Sequence, residues 1–481
     1  MPTTPSFDGK ADRDGADVQA ALTAARAGES ESIESLAKIV RIKSLTGEEG
    51  PAQEFIAERL RELGADVTIA EPNIELLFRR FPHVAQYPTH WQHDLVLPYD
   101  ELPTLSALQA SGLADVLNYS GRPNVLGVIR GTGGGRSLIL NGHVDTVTIE
   151  PAASWTKAPF GAEIINGCMY GRGTSDMKGG LMAALMALTY LHRAGVRLKG
   201  DVFFHSVVNE EHAGNGTLDL VRWGPSADAA IVLEPTRNTI SVSHPGGLYW
   251  QVETPGIPRS PGARWKNGSI EGISAIEKVP AVVEALLAVE KQYCRHQRNA
   301  SLDWQGAPFS MVIGKIEGGF YETVTAESVI LKGSAYFAPH VGSVIDVMQR
   351  LREAISSVNE RDDFLRRPPA RLSFLHHDDS TSQSVDLPPA RTMAAILRER
   401  GGDPEIKPGS FCCDMRHLAN QAGIPSIIFG PGTIEQAHKP DEHIILSEYL
   451  AAIEHLIVFI CRWCNGSKAE MEVGKMGASN G

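Results

Sequence analysis

Three short apolar runs constrain this chain more than any other feature: "SLIL", "FFHSVV" and "AIVL", starting at residues 137, 203 and 230. The stretch "MKGGLMAALMALTYLHRAG" separates the first two and reads as a helix, and a shorter helical piece near "GTLDLVRW" separates the last two. Apolar strands alternating with helices predict an α/β layer fold around a largely parallel sheet. Ligands of such sheets bind beyond the carboxyl ends of the strands. Each run here is followed by ionisable residues: His143 and Asp145 after the first, Glu210 and Glu211 after the second, Glu234 after the third.

The same rhythm sets the domain plan. A chain of 481 residues is long enough for two or three domains. Residues 1–31 are polar and Ala-rich and read as an N-terminal arm, either loose or forming a short helix. "SIESLAKIVRI" and "GPAQEFIAERLRELG" carry apolar residues at helical spacing, the second stopping at Gly64, and "DVTIA" follows as a strand. Residues 72–122 are rich in Pro and aromatic residues and read as a long irregular connection. From about residue 241 the order becomes β-α-β-β-α-β, the ferredoxin-like arrangement. The first pattern resumes after about residue 377. The expected division is therefore an α/β domain in two parts, 32–240 and 377–481, with a second domain inserted at 241–376.

Composition removes several classes of function. The net charge is −12 and no basic stretch is dense enough to follow a phosphate backbone, so nucleic acid is not an expected partner. The long apolar stretch "YLAAIEHLIVFICRW" is interrupted by Glu454 and His455, which predicts a buried helix and no membrane span. The N-terminus lacks the basic start and apolar core of a signal peptide, and a cytoplasmic protein is expected. Six scattered cysteines do not suggest a disulfide framework, and "CRWC" falls in the closing helix with no second pair.

The ionisable residues carry the chemistry. In a strand, side chains two apart point to the same side, so His143 and Asp145 can act together. A metal-bound histidine usually donates its other ring N–H to a carboxylate. Asp176, in "GRGTSDMKGG", would by itself be a helix cap. His438, in "QAHKPDEH", would by itself be part of a solvated loop. Together with Glu210, Glu211 and Glu234 they converge on strand ends. Imidazole and carboxylate are ligands that suit zinc and related ions. The set is about right for two metals, ~3.5–4 Å apart, that share one carboxylate, activate a water and polarise a carbonyl.

Five segments in order, "LILNGHVDTV", "YGRGTSDMKGG", "VVNEEHAGNGT", "VLEPT" and "AHKPDEHI", resemble the motifs of the di-zinc hydrolases that include acetylornithine deacetylase, succinyl-diaminopimelate desuccinylase, aminoacylase and carboxypeptidase G. The resemblance runs from about residue 32 onward. It implies two zinc ions per chain, with cobalt or manganese as substitutes. His143, Asp176 and Glu234 would hold one ion; Asp176, Glu211 and His438 would hold the other. Asp145 would orient His143, and Glu210 would be the general base. The inserted domain would be a lid that also forms a homodimer. The implied function is an amide hydrolase that removes a small acyl group, such as acetyl or formyl, from a nitrogen of a small molecule. A dipeptidase or carboxypeptidase is the alternative within the family, and an inactive metal-binding scaffold the alternative outside enzymes.

The chain departs from that pattern twice. Ser260 falls where the family carries a lid histidine, and Phe337 near where it carries an arginine that grips a substrate carboxylate. His244, Arg259 and Arg264 are the candidates for replacing them. Without the clamp, the expected substrate is an amide whose non-acyl half is neutral, aromatic or heterocyclic.

Overall fold

The computed structural model describes residues 14–86, 99, 101, 104–110, 118–296 and 307–467. The first layer is a six-stranded sheet. Its strands are β1 (Asp66–Ala70), β2 (Asn124–Ile129), β3 (Leu138–His143), β4 (Val202–Val207), β5 (Ala229–Val232) and, from the far end of the chain, β10 (Ser426–Ile428). Their spatial order is β1-β2-β4-β3-β5-β10. The pairs β4–β3, β3–β5 and β5–β10 are parallel, and β2 alone runs against the others. Every residue of β3, β4 and β5 is buried, as expected where helices cover both faces of a parallel sheet. That is why these strands read as continuous apolar runs.

The helix Gly179–Arg193 lies at the centre of one face and is buried from Gly179 to Leu191. The helices Ala16–Ala27, Glu29–Arg41 and Leu446–Asn465 pack against it. Gly180 sets its approach, because a β-carbon there would overlap the carbonyl oxygen of Leu233. In the closing helix, Glu454 pairs with Arg26 and Arg400, and His455 is buried. Among the described residues, no helix is long and apolar enough to cross a membrane. All six cysteines are free, and Cys461 and Cys464 are buried in that helix.

Residues 1–13 lie outside the described residues. Of the two readings of the arm, the short helix is present as Ala16–Ala27, and Ala21, Leu22 and Ala25 are buried in the main core. Its small residues let it lie close to its neighbours without the large apolar side chains that announce a core helix. The segment 72–122 also holds regular structure, in the helices Ile74–Arg80 and Leu105–Ala110. Leu77 and Phe78 pack with Leu218 in a small cluster there. Most of 87–117 lies outside the described residues.

The second layer is built by β6 (Gly246–Pro255), β7 (Phe309–Gly318), β8 (Ser328–Phe337) and β9 (Arg371–Asp378). They form an antiparallel sheet of order β7-β8-β6-β9. The helices Ala275–His296 and Val344–Arg361 cover one face, and the latter starts with a capping box between Ser343 and Asp346. Leu248, Trp250 and Val252 alternate along β6 into this core. Phe337 belongs to the same core and is 0 % exposed, so it cannot line a substrate pocket. Successive strand residues face opposite sides, which gives the cleft side to Tyr336.

Candidate active site

The site forms because β4, β3 and β5 are adjacent and parallel, so their carboxyl ends share one edge of the sheet. His143 ends β3, Glu210 and Glu211 follow β4, and Glu234 follows β5. Asp176 sits in the turn that leads into the helix Gly179–Arg193, with extended backbone angles (φ −118°, ψ 100°). His438 comes from the loop between β10 and the last helix and has a left-handed backbone (φ 59°).

These six side chains converge. Asp176 Oδ1 lies 3.3 Å from His143 Nε2, and Asp176 Oδ2 lies 3.3 Å from His438 Nε2. Glu211 Oε2 is 2.9 Å from His438 Nε2. Glu234 Oε1 and Glu210 Oε2 are 3.8 and 3.9 Å from His143 Nε2. Ligands about 2.1 Å from a tetrahedral zinc lie roughly 3.4 Å from one another, so the spacing suits shared ions. His143 Nε2 is also buried and makes no hydrogen bond. Two overlapping groups, His143–Asp176–Glu211 and His143–Glu210–Glu234, have the compactness of a metal site. The donor set therefore fits divalent metal.

The charges are strongly interdependent. Burial, with help from neighbouring carboxylates, pushes the carboxyls of Glu210 and Glu234 well above the usual range. Burial alone would also raise Asp176, but the close approach and charge of His143 and His438 outweigh it and hold that carboxyl far below its ordinary value. Glu211 is the main cause of a His438 imidazole raised to about 11. For His143, burial works against the charged form, but Asp176, Glu234, Glu210 and Asp145 together raise it well above the ordinary value. A divalent cation would take over the role of these protons, since metal ligands bind deprotonated.

Asp145 works differently from the expectation. His143 Nδ1 contacts the main-chain carbonyl of Asp145 at 2.9 Å, whereas the nearest carboxylate oxygen is 3.6 Å away. The carboxylate is engaged elsewhere: Oδ1 accepts the Glu210 N–H at 3.1 Å, and Oδ2 accepts the Glu211 N–H at 3.2 Å and the Thr46 hydroxyl at 3.0 Å. One residue thus orients the histidine through its backbone and the paired glutamates through its side chain. Glu442 does similar work for Asp176. It is fully buried and accepts the main-chain N–H groups of Gly173, Ser175 and Asp176 and one N–H of Arg172.

A second set of residues borders the site and was not singled out from sequence. Arg416 Nη2 is 2.8 Å from Asp378 Oδ1, and His376 Nε2 is 2.6 Å from Asp378 Oδ2. Burial opposes ionisation of Asp378, but Arg416 and His376 outweigh it and hold the carboxyl well below its usual range. Tyr249 stands beside His376, ring centroids 5.3 Å apart. A β-carbon at Gly247 would lie 3.0 Å from Cys412 Sγ, 3.4 Å from Tyr336 and 3.7 Å from Asp378, so these groups crowd one spot. The one local signal was "CCDMRH", a charged pair in an otherwise neutral stretch. The expected substitutes for the missing lid groups do not fill the cleft. Ser260 and Arg259 are exposed, Arg264 pairs with Glu277 at 2.7 Å, and His244 is buried with Nδ1 against the carbonyl of Pro245.

Comparison with known proteins fixes the relationship. The profile described as "Peptidase family M20/M25/M40" matches residues 139–462. The chain belongs to this family. Among curated M20/M25/M40 relatives, an N-formyl-4-amino-5-aminomethyl-2-methylpyrimidine deformylase of Halalkalibacterium halodurans is 29% identical over 369 residues, covering 73% of this chain and 85% of the relative. A succinyl-diaminopimelate desuccinylase of Methylorubrum populi is 31% identical over 229 residues, covering 45% and 48%. Among solved structures, a di-peptidase of Saccharomyces cerevisiae matches with a TM-score of 0.69 at 14% identity, covering 93% of this chain and 99% of that one. At that identity the likeness concerns the fold.

Proposed function

We propose that this M20/M25/M40 protein is a metal-dependent amide hydrolase that removes a formyl or similarly small acyl group from the nitrogen of a neutral, heterocyclic amine. The observation that carries the reading is the shared Asp176 carboxylate, one oxygen toward each of two histidines, with Glu210 at the same centre. The deformylase relative supports the acyl group and the heterocycle. The cleft side of β8 carries Tyr336 and not an arginine, which speaks against a carboxylate-bearing amine half.

His143, Asp176 and Glu234 would hold one zinc ion, and Asp176, Glu211 and His438 the other. Metal in these positions supplies Lewis-acid activation of a water and of the carbonyl. Glu210 takes one proton from the water as its oxygen bonds to the acyl carbon. The same carboxyl returns that proton to the nitrogen as the C–N bond breaks, releasing the carboxylic acid and the free amine. Asp145 holds the main chain of Glu210 in place during the transfer.

The unit from about 241 to 376 is read as a ferredoxin-like lid that closes over this site and forms a homodimer. Its edge strand β7 leaves Val312 52% and Ile316 61% exposed, an apolar edge that invites cover. None of the six cysteines is joined in a disulfide, which suits a reducing compartment, and we assign the protein to the cytoplasm.

The test is release of the free amine, with formate or acetate as co-product, by metal-loaded protein from a panel of amides. An N-formyl aminomethylpyrimidine should exceed N-formylmethionine and N-acetylornithine in kcat/KM by tenfold or more. The reading fails if the acyl amino acids win by that margin.

A further inference from the structure

The Asp378–His376 pair borders the metal centre but has no part in the hydrolytic step described above. Both residues lie at the end of β9, on the inserted unit. Arg416 comes from the catalytic domain and approaches Asp378 from the other side, at 2.8 Å. The arrangement fixes a tautomer. A carboxylate can only accept, so the His376 nitrogen 2.6 Å from Asp378, Nε2, carries the hydrogen. In the neutral ring, Nδ1 is then an acceptor. Among the described residues, Nδ1 makes no hydrogen bond, and it is not among the buried unpartnered atoms. Its ring neighbour Tyr249 is 43% exposed, so an aromatic face is open beside it.

Position ties this pair to the reaction. A β-carbon at Gly214, three residues after Glu211, would lie 2.5 Å from Arg416 Nη2, so the Arg416–Asp378 pair stands beside the loop that carries the paired glutamates. Asp378 shares its corner with Tyr336 and Cys412. A substrate whose amide reached Glu210 would thus place its amine half along this wall.

We propose that His376 and Tyr249 form the subsite for the amine half of the substrate, and that they select an aromatic ring bearing an amino group. This rests on the amide-hydrolase reading above. Tyr249 offers a stacking face for a planar ring. His376 Nδ1 accepts a hydrogen bond from an exocyclic N–H. Asp378, held by Arg416, is the positioning residue that keeps the acceptor nitrogen turned toward the cleft. The same acceptor would repel a carboxylate, which brings only lone pairs. Specificity arises as much from that rejection as from the attraction.

Two ligand series test the subsite. In the first, kcat/KM is measured for the N-formyl derivative of an aminomethylpyrimidine with a ring amino group and for the same compound without it. The wild type should prefer the amino compound by tenfold or more, about 1.4 kcal/mol, mostly in KM. His376→Leu should reduce the preference to under threefold, with the loss falling mainly on the compound that bears the amino group. Tyr249→Ala should weaken both compounds alike. Equal losses on both compounds in His376→Leu would overturn the proposal, because they would mean a purely structural role. In the second series, calorimetry compares binding of 4-aminopyrimidine and pyrimidine to the metal-loaded wild type. It needs neither turnover nor a folded variant. Equal affinities overturn the subsite even if formate release supports the parent reading. Absence of formate release from every formamide, with aminopyrimidine still preferred tenfold, overturns the parent reading and keeps the subsite.

Discussion

Asp145 Oδ1 accepts the main-chain N–H of Glu210 at 3.1 Å. A side chain that follows one buried strand therefore holds the backbone of a residue that follows the next. Asp145→Asn would turn an amide nitrogen toward one of the donors now held by Asp145: Glu210 N–H, Glu211 N–H or the Thr46 hydroxyl. Loss of such an outer partner typically costs ~10–100-fold in activity or metal affinity. Steady-state kinetics with a parallel metal titration should find kcat reduced by that order. An unchanged kcat and metal affinity would mean the contact is idle.

Glu210 and Glu211 are neighbours with different assigned tasks, so their variants should separate. Glu210→Gln should keep two metals per chain and lose ~10²-fold or more in turnover, the usual scale for a missing general base. Glu211→Ala should lose one metal. Elemental analysis beside the rate measurement distinguishes them. Near-normal turnover in the first variant, or unchanged stoichiometry in the second, would reverse the assignment.

Gly180 lets the central helix touch the strand exit that leads to Glu234. Gly180→Ala forces a methyl group against the Leu233 carbonyl. Overpacking of this kind costs ~1–3 kcal/mol. The variant should melt at lower temperature and bind metal more weakly. A Tm equal to that of the wild type would show that the helix can shift without cost.

Acid should destabilise the protein through histidines remote from the metal centre. Burial lowers His205 to about 3 and His455 to about 4. Their unfolded values lie near 6.5, so between there and about 4 the unfolded chain binds more protons than the folded one. Stability is then full above that range and falls as pH drops through it. Thermal melts across this window should show the loss, and His205→Leu should make it shallower. Parallel slopes for variant and wild type would exclude His205 as a contributor.

The sequence made the catalytic layer legible because chemistry and periodicity coincide there. Strands β3, β4 and β5 are fully buried and each opens on an apolar run, and the residues at and just after their ends are ionisable. The second cluster was not legible. His376 and Asp378 come from the end of the inserted unit and Arg416 from the first turn of a short helix beyond it, with no periodicity to link them. A shift of one position also mattered: Phe337 and Tyr336 are adjacent, yet one is core and the other faces the cleft, because a single step along a strand changes sides. The burial of the helix Ala16–Ala27 was not legible, because alanines pack without a strong apolar signature.

The inserted unit interrupts the catalytic layer between Glu234 and His438. Domains fold largely as units, and during synthesis the N-terminal parts emerge first. A ribosome making this chain would release a complete inserted unit while β10 and His438 were still unmade. The emerging half-sheet would lack its outermost parallel strand, and of the two histidines assigned above to metal only His143 would be present. On that assignment, capture of metal by the full ligand set is deferred to the final stage of synthesis, after the inserted unit has already taken shape.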